Sequence, residues 1–308
     1  YNRHFFAEEL KRLDVERNLP FSIAMIDVNG LKLTNDAFGH EAGDLILKSV
    51  GEILKNECRA EDIISRIGGD EFIILLPKTN PEETETIVKR IYKAVENHKL
   101  NNIVLSVSIG WETKTSSQED VKEIYAKAED YMYRRKITES QSMRNQTIKV
   151  IMHTLHETNL REKIHSERVS TLCRSIGEAM KLEEEVLKEL EITGLMHDIG
   201  KIAINGTILD KPGKLTNSEY EEIKRHPEIS YHILKSADVY TRLAEYVLSH
   251  HERWDGKGYP RGLSGEDIPL VARIITVADA YEAMTAKRPY KESMSHEKAM
   301  EELKKCSG

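Results

Sequence analysis

Asp62-Ile-Ile-Ser-Arg-Ile-Gly-Gly-Asp-Glu-Phe-Ile-Ile-Leu-Leu76 places two short, mostly apolar runs around a Gly-Gly-Asp centre. Runs of strand length flanking paired glycines predict a hairpin, because glycine permits the positive φ of a tight turn. Upstream, Phe21-Ser-Ile-Ala-Met-Ile-Asp-Val28 is apolar almost throughout, as expected of a strand central in a sheet. Between the two, Leu45, Ile46, Val50, Ile53 and Leu54 form a helical stripe within residues 41–58. Downstream, Pro81 opens a helix to about His98, residues 103–111 read as a strand region, and residues 118–136 read as helix.

The resulting order, βαββαβ, predicts a split, ferredoxin-like α+β domain over residues 1–139. Residues 140–160 are polar at first and then carry Ile148, Ile151, Met152 and Leu155 at helical spacing. They read as a helical connector whose apolar side meets either a second copy or its own domain. Residues 161–308 are helix-forming nearly throughout, with loops expected at 205–217 and 253–269. They predict an all-α bundle with its chemistry inside.

A chain of 308 residues is too long for one ordinary core and suits two domains. Hydrophobic residues make up 39% and charged residues 31%, a globular balance rather than a disordered one. The net charge of −7 argues against binding DNA by phosphate attraction. No apolar run approaches the ~20 residues of a membrane helix. Cys58, Cys173 and Cys306 have neither disulfide-framework nor zinc spacing. With no leader visible, a cytoplasmic setting is expected.

Asp27-Val-Asn-Gly-Leu-Lys-Leu-Thr-Asn-Asp-Ala-Phe-Gly-His-Glu-Ala-Gly-Asp44 and Arg66-Ile-Gly-Gly-Asp-Glu-Phe72 resemble the GGDEF family of diguanylate cyclases, as do Ser106–Gly110 and Ala128–Lys136. Phosphoryl transfer from GTP needs a divalent metal, and hard carboxylates at a strand end and a hairpin turn suit Mg²⁺ or Mn²⁺. The resemblance implies that Asp27, the Val28 carbonyl and Asp70 bind metal. It gives Asp70 the hydroxyl proton, Glu71 a second acidic role, and Lys32 and Lys136 the phosphate charge. Gly68 and Gly69 would let the backbone approach phosphate. Asn35 and Asp44 match a guanine-reading pair, since a carboxylate accepts from guanine's N–H groups. Relatives that make cyclic GMP-AMP commonly carry serine at the Asp44 position. Arg59-Ala-Glu-Asp62 matches an inhibitory product site, although an Arg and Asp at this spacing are usually a solvated ion pair.

In the second half, His197-Asp-Ile-Gly-Lys201, His250-His-Glu-Arg-Trp-Asp-Gly-Lys-Gly-Tyr-Pro260 and Ala278–Lys291 resemble the HD-GYP branch of the HD phosphohydrolases. The resemblance implies a ligand set of His165, His197, Asp198, His226, His250, His251 and Asp279. Histidine and carboxylate without thiolate suit two ions of Fe, Mn or Zn. If helical, His197 and Asp198 point about 100° apart and serve neighbouring metal positions. Lys201 matches a charge-stabilising lysine, Arg288 and Lys291 match phosphate-binding residues, and Tyr259-Pro260 belongs to a substrate-facing loop. Some relatives place a third-metal carboxylate four residues before the first histidine. Here that position is Arg161, with Glu157 and Glu162 out of register, so two metals are expected.

The resemblances together imply cyclic-di-GMP turnover: hydrolysis by the second domain, and condensation of two GTP by a first domain working as a homodimer. Two alternatives stay open, a first domain that only binds GTP to regulate the hydrolase, and a non-catalytic cyclic-di-GMP receptor. Tyr1-Asn-Arg3 resembles the tail of a cyclase entry motif, so an upstream sensor is expected.

Overall fold

The computed structural model describes residues 1–98, 100, 105–286 and 293–307. The chain forms two compact units, residues 1–147 and 148–308.

The first unit is built on four antiparallel strands, β1 (Phe21–Val28), β2 (Ile63–Arg66), β3 (Glu71–Leu76) and β4 (Val107–Lys114), in the order β2-β3-β1-β4. This is the expected split βαββαβ arrangement. Its helices are α1 (Arg3–Leu13), α2 (Leu31–Phe38), α3 (His40–Glu57), α4 (Pro81–Asn97) and the first part of α5 (Val121–Thr158). Alternate residues of β1 explain its unbroken apolar character. Ala24, Ile26 and Val28 pack with α3 and α4 residues such as Val50, Leu54 and Ile91. Phe21, Ile23 and Met25 pack instead with Phe6 and Leu13 of α1 and with Ile124, Ala128 and Met132 of α5. Both faces of the sheet are therefore covered. Asn80 and Glu83 form a reciprocal capping box at the start of α4, with Pro81 in its first turn.

The second unit contains α6 (Leu160–Ala179), α7 (Glu184–Met196), α8 (Gly206–Leu209), α9 (Asn217–Ile223), α10 (His226–Lys235), α11 (Thr241–Leu248), α12 (Leu270–Thr285) and α13 (His296–Lys305). No strand occurs in it among the described residues. Its core joins Val169 and Cys173 of α6, Leu187 and Leu190 of α7, and Ile274, Ile275 and Ala278 of α12.

Two local expectations need correction, the β2–β3 turn and the helix bounds. Gly68 and Gly69 are absent from the positive-φ glycines, so the β2–β3 turn does not use left-handed backbone. The turn is closed by Ile67 N–H donating to the Glu71 carbonyl (2.9 Å) and by the Arg66 guanidinium donating to the Gly69 carbonyl (2.7 Å). α5 does not stop near Lys136 but runs to Thr158, and α1 precedes the first strand. Of the two settings left open for Ile148, Ile151, Met152 and Leu155, burial of all four in the single chain favours packing on their own domain over a seam with a second copy.

Candidate metal centres

In the first unit the candidate residues collect at one end of β1. Asp27 pairs with Glu71 across β1–β3, and the Val28 amide donates to the Asp70 carbonyl (2.9 Å). Asp27 is buried, with Oδ2 2.6 Å from Lys136 Nζ, while Oδ1 is buried without a hydrogen-bond partner. Burial raises its carboxyl above the usual range; Lys136 opposes the shift, and the nearby Asp70 and Glu71 charges add to it. An orphaned buried carboxylate oxygen among acidic neighbours fits a cation ligand. Asn29 steadies the segment, donating to Ser106 Oγ (3.0 Å) and accepting from Ser108 Oγ (3.1 Å).

Asn35 is half-buried on α2 with Oδ1 unpartnered, and its room depends on Gly43, where a Cβ would lie 1.9 Å from that oxygen. Asp44 follows Gly43 on α3 and is exposed, as is Lys32. Met143, Arg144 and Thr147 of α5, which sequence reading passed over, bound a cavity of about 20 Å³ together with Asn29, Gly30, Thr34 and Lys136. Arg59 and Asp62 are not a solvated side-chain ion pair. Asp62 is buried and accepts from the Arg59 backbone N–H (2.6 Å), while the exposed Arg59 guanidinium lies 3.8 Å from Glu83.

All seven ligand candidates of the second unit converge in the bundle interior. They come from the second turn of α6 (His165), the residues just after α7 (His197, Asp198), the start of α10 (His226), the segment after α11 (His250, His251) and α12 (Asp279). His165 Nε2 lies 3.3 Å from His197 Nε2, 3.3 Å from Asp279 Oδ1 and 3.4 Å from Asp198 Oδ2. His226 Nε2 lies 3.4 Å from His250 Nε2 and 3.1 Å from Asp198 Oδ1. Asp198 thus turns one oxygen to each group. Its pairing with His197 corrects the helical expectation: α7 has ended, and Asp198 Oδ2 returns to 3.1 Å from His197 Nε2 instead of diverging.

The ring tautomers favour cation binding. His197, His226 and His250 each place Nδ1 2.5–2.8 Å from the carbonyl three residues earlier, those of Gly194, Ile223 and Val247. A carbonyl only accepts, so Nδ1 donates and Nε2 keeps its lone pair. Paired Nε2 lone pairs at 3.3–3.4 Å repel unless a cation or proton lies between them. Burial, with neighbouring imidazoles, pushes His250 far down and His251 to about 3, keeping both neutral as ligands must be. Burial also opposes charge on His165, but Asp198 and Glu282 outweigh it and raise that ring to about 10.

Around the cluster stand residues that the sequence reading left without a role. Glu282 is buried and places Oε2 2.7 Å from His165 Nδ1. Glu162, out of register for a metal, is buried and lies 2.9 Å from Lys201 Nζ, which in turn lies 2.6 Å from Asp198 Oδ2. Gly200 lets the 3-10 turn after Asp198 approach α10, since a Cβ there would lie 2.2 Å from the His226 carbonyl. Glu252 is buried and accepts from the Arg261 and Leu263 amides (2.6 and 3.0 Å), shaping the loop that carries Tyr259 and Pro260. The Tyr259 ring stacks on His251, with centroids 4.9 Å apart. His232 is exposed and outside the cluster. Arg288 and Lys291 lie outside the described residues.

The sequence model of the HD domain matches residues 149–308, and that of the diguanylate cyclase GGDEF domain matches residues 1–146. A cyclic di-GMP phosphodiesterase of Thermotoga maritima is 32% identical over 246 residues, covering 78% of this chain and 62% of that protein. The cyclic di-GMP phosphodiesterase response regulator RpfG of Xanthomonas campestris pv. campestris is 45% identical over 136 residues, covering 44% of this chain and 36% of its own length. The 3'3'-cGAMP-specific phosphodiesterase 1 of Vibrio cholerae is 46% identical over 136 residues, covering 44% of this chain and 32% of that protein. The chain spans less than two thirds of each of these relatives. No helix among the described residues is long and apolar enough to cross a membrane. The chain belongs to the HD-domain family, and a GGDEF domain of the diguanylate cyclase family precedes the HD domain in the same polypeptide.

Proposed function

We propose that the second unit hydrolyses cyclic di-GMP at a two-metal centre. The observation that carries this reading is Asp198, whose two oxygens face two separate histidine groups, so that one carboxylate links two cation positions. His165, His197 and Asp279 would hold one ion, and His226, His250 and His251 the other; Fe, Mn or Zn suits these donors. Bound there, the metals would supply a nucleophilic hydroxide at neutral pH and stabilise the departing oxygen. Lys201, held beside Asp198 by Glu162, offers its ammonium to charge developing on the phosphate. Tyr259 and Pro260 face the substrate, and Arg288 and Lys291 bind its phosphates.

In the first unit, Asp27, the Val28 carbonyl and Asp70 would hold Mg²⁺ or Mn²⁺, with Glu71, Lys32 and Lys136 serving the triphosphate beside Gly68 and Gly69. Asn35 and Asp44 would read guanine, and Arg59 with Asp62 would bind product. Two GTP must face each other to form two equivalent linkages, so the cyclase reaction calls for a homodimer. A purely regulatory, GTP-binding first unit is the second reading, favoured by one observation: the cavity that Lys136 lines with Met143, Arg144 and Thr147 is only about 20 Å³. We place the connector at residues 140–160 and the protein in the cytoplasm.

The test is incubation of the purified chain with cyclic di-GMP, 3'3'-cGAMP and GTP in turn, with Mg²⁺, Mn²⁺ or Fe²⁺. Cyclic di-GMP should be consumed with Mn²⁺ or Fe²⁺. Asp198→Ala should abolish this and release bound metal, while the first unit stays folded by hydrogen exchange. Full turnover by a metallated Asp198→Ala chain would overturn the reading, and consumption of 3'3'-cGAMP alone would move the substrate to the mixed dinucleotide.

A further inference from the structure

Beside the second centre, α9 and the residue that caps its C-terminal end carry two side chains, Tyr220 and Lys224, without a part in the reaction described above. Lys224 follows Tyr220 by four positions, and its amide donates to the Tyr220 carbonyl (3.0 Å), so the two share one helical face. Lys224 Nζ lies 5.7 Å from the centroid of the Tyr220 ring and 5.4 Å from that of the Tyr259 ring. Because Tyr259 stacks on His251, a row of His251, Tyr259, Lys224 and Tyr220 leads from a candidate metal ligand to a half-exposed ring.

α9 is too short to be stable alone, and it is clamped at both ends. Thr216 and Glu219 form a capping box at its start, and Lys211 Nζ lies 2.7 Å from Glu219. At its end the Ile223 carbonyl accepts from His226 Nδ1. These clamps hold Tyr220 and Lys224 in fixed register with the cluster. Tyr220 is 49% exposed, so the hydrophobic core gains little from it. Lys224 also donates to the exposed carboxylate of Glu221 at 2.9 and 3.2 Å. An open aromatic face stacks any base, whereas an ammonium donates to the O6 and N7 acceptors of guanine and meets a donor amine on adenine.

We propose that Tyr220 and Lys224 form a guanine-binding subsite of the HD domain, in which Tyr220 stacks the base and Lys224 donates to its O6/N7 edge. This rests on the cyclic-dinucleotide reading above. The test uses the full chain loaded with Mn²⁺, following steady-state cyclic di-GMP hydrolysis, bound metal, and inhibition by GMP and AMP. Tyr220→Ala should raise KM about tenfold, with kcat and metal content unchanged, and Tyr220→Phe should restore KM. Lys224→Gln should raise KM and narrow the preference for GMP over AMP. If the parent chain turns over cyclic di-GMP and Tyr220→Ala keeps KM within twofold, the subsite is refuted. It is equally refuted if Tyr220→Ala loses kcat and metal together, because α9 would then only scaffold His226. A parent chain that hydrolyses no cyclic dinucleotide would remove the underlying reading and the subsite with it.

Discussion

His165 differs from its neighbours in what holds it. The other three oriented histidines of the cluster rest on neutral backbone carbonyls three residues earlier in the chain, whereas His165 Nδ1 faces the buried carboxylate of Glu282, 117 positions away. A carboxylate behind a ligand fixes its tautomer and increases its basicity. Glu282→Gln should therefore weaken metal at the His165–His197–Asp279 position by roughly 10- to 100-fold. Titration of the apo-chain with Mn²⁺ would show one tight and one weakened step, and two unchanged steps would assign Glu282 to packing alone. The histidines and aspartates were legible in the sequence because their types and order match a motif. Glu282 lies inside a quoted motif, yet its role exists only because α12 packs on α6. Glu162 was set aside because it missed an expected register, and the fold turned it toward Lys201 instead.

At the scale of the element, loops near the centres are shaped by contacts that no local pattern announces. The segment 252–263 reads as a glycine-rich loop, but buried Glu252 organises it by accepting from two of its amides. Gly258 is needed there for space: a Cβ would lie 2.4 Å from the Arg253 nitrogen and 2.5 Å from the Glu252 Cα. Gly258→Ala should cost roughly 1–3 kcal/mol by overpacking against backbone. Hydrogen exchange should rise over residues 252–263 and not in the first unit, and KM for cyclic di-GMP should rise with the misplaced Tyr259. Unchanged exchange in that segment would contradict the steric reading. The Gly68-Gly69 turn teaches the converse. The sequence suggested positive φ, but Arg66 and the Glu71 carbonyl close the turn without it.

Across the whole molecule, the two candidate activities should respond differently to concentration. Each HD domain carries its whole ligand set, so hydrolysis should stay proportional to protein. On the proposed reading one GGDEF domain would offer a single guanine reader, Asn35 with Asp44, and a single acidic cluster, so cyclase rate should rise more steeply than linearly until dimerisation saturates. A linear cyclase rate from a chain shown to be monomeric during turnover would exclude the homodimer mechanism. The connector positions Ile148, Ile151, Met152 and Leu155 are already buried in one chain, so any dimer contact must use other surface. Periodicity and motif spacing by themselves determined the division into a βαββαβ sheet domain and a helical bundle. The seven ligand candidates came instead from the resemblance carried by the His197–Lys201, His250–Pro260 and Ala278–Lys291 motifs, because ligand chemistry is written in residue type and order. Only the tertiary structure decided that Asp198 faces two histidine groups, that Glu282 backs His165 and that Lys224 stands between Tyr220 and Tyr259. Each of these depends on which elements meet in space, and that is set by the packing of apolar faces far apart along the chain.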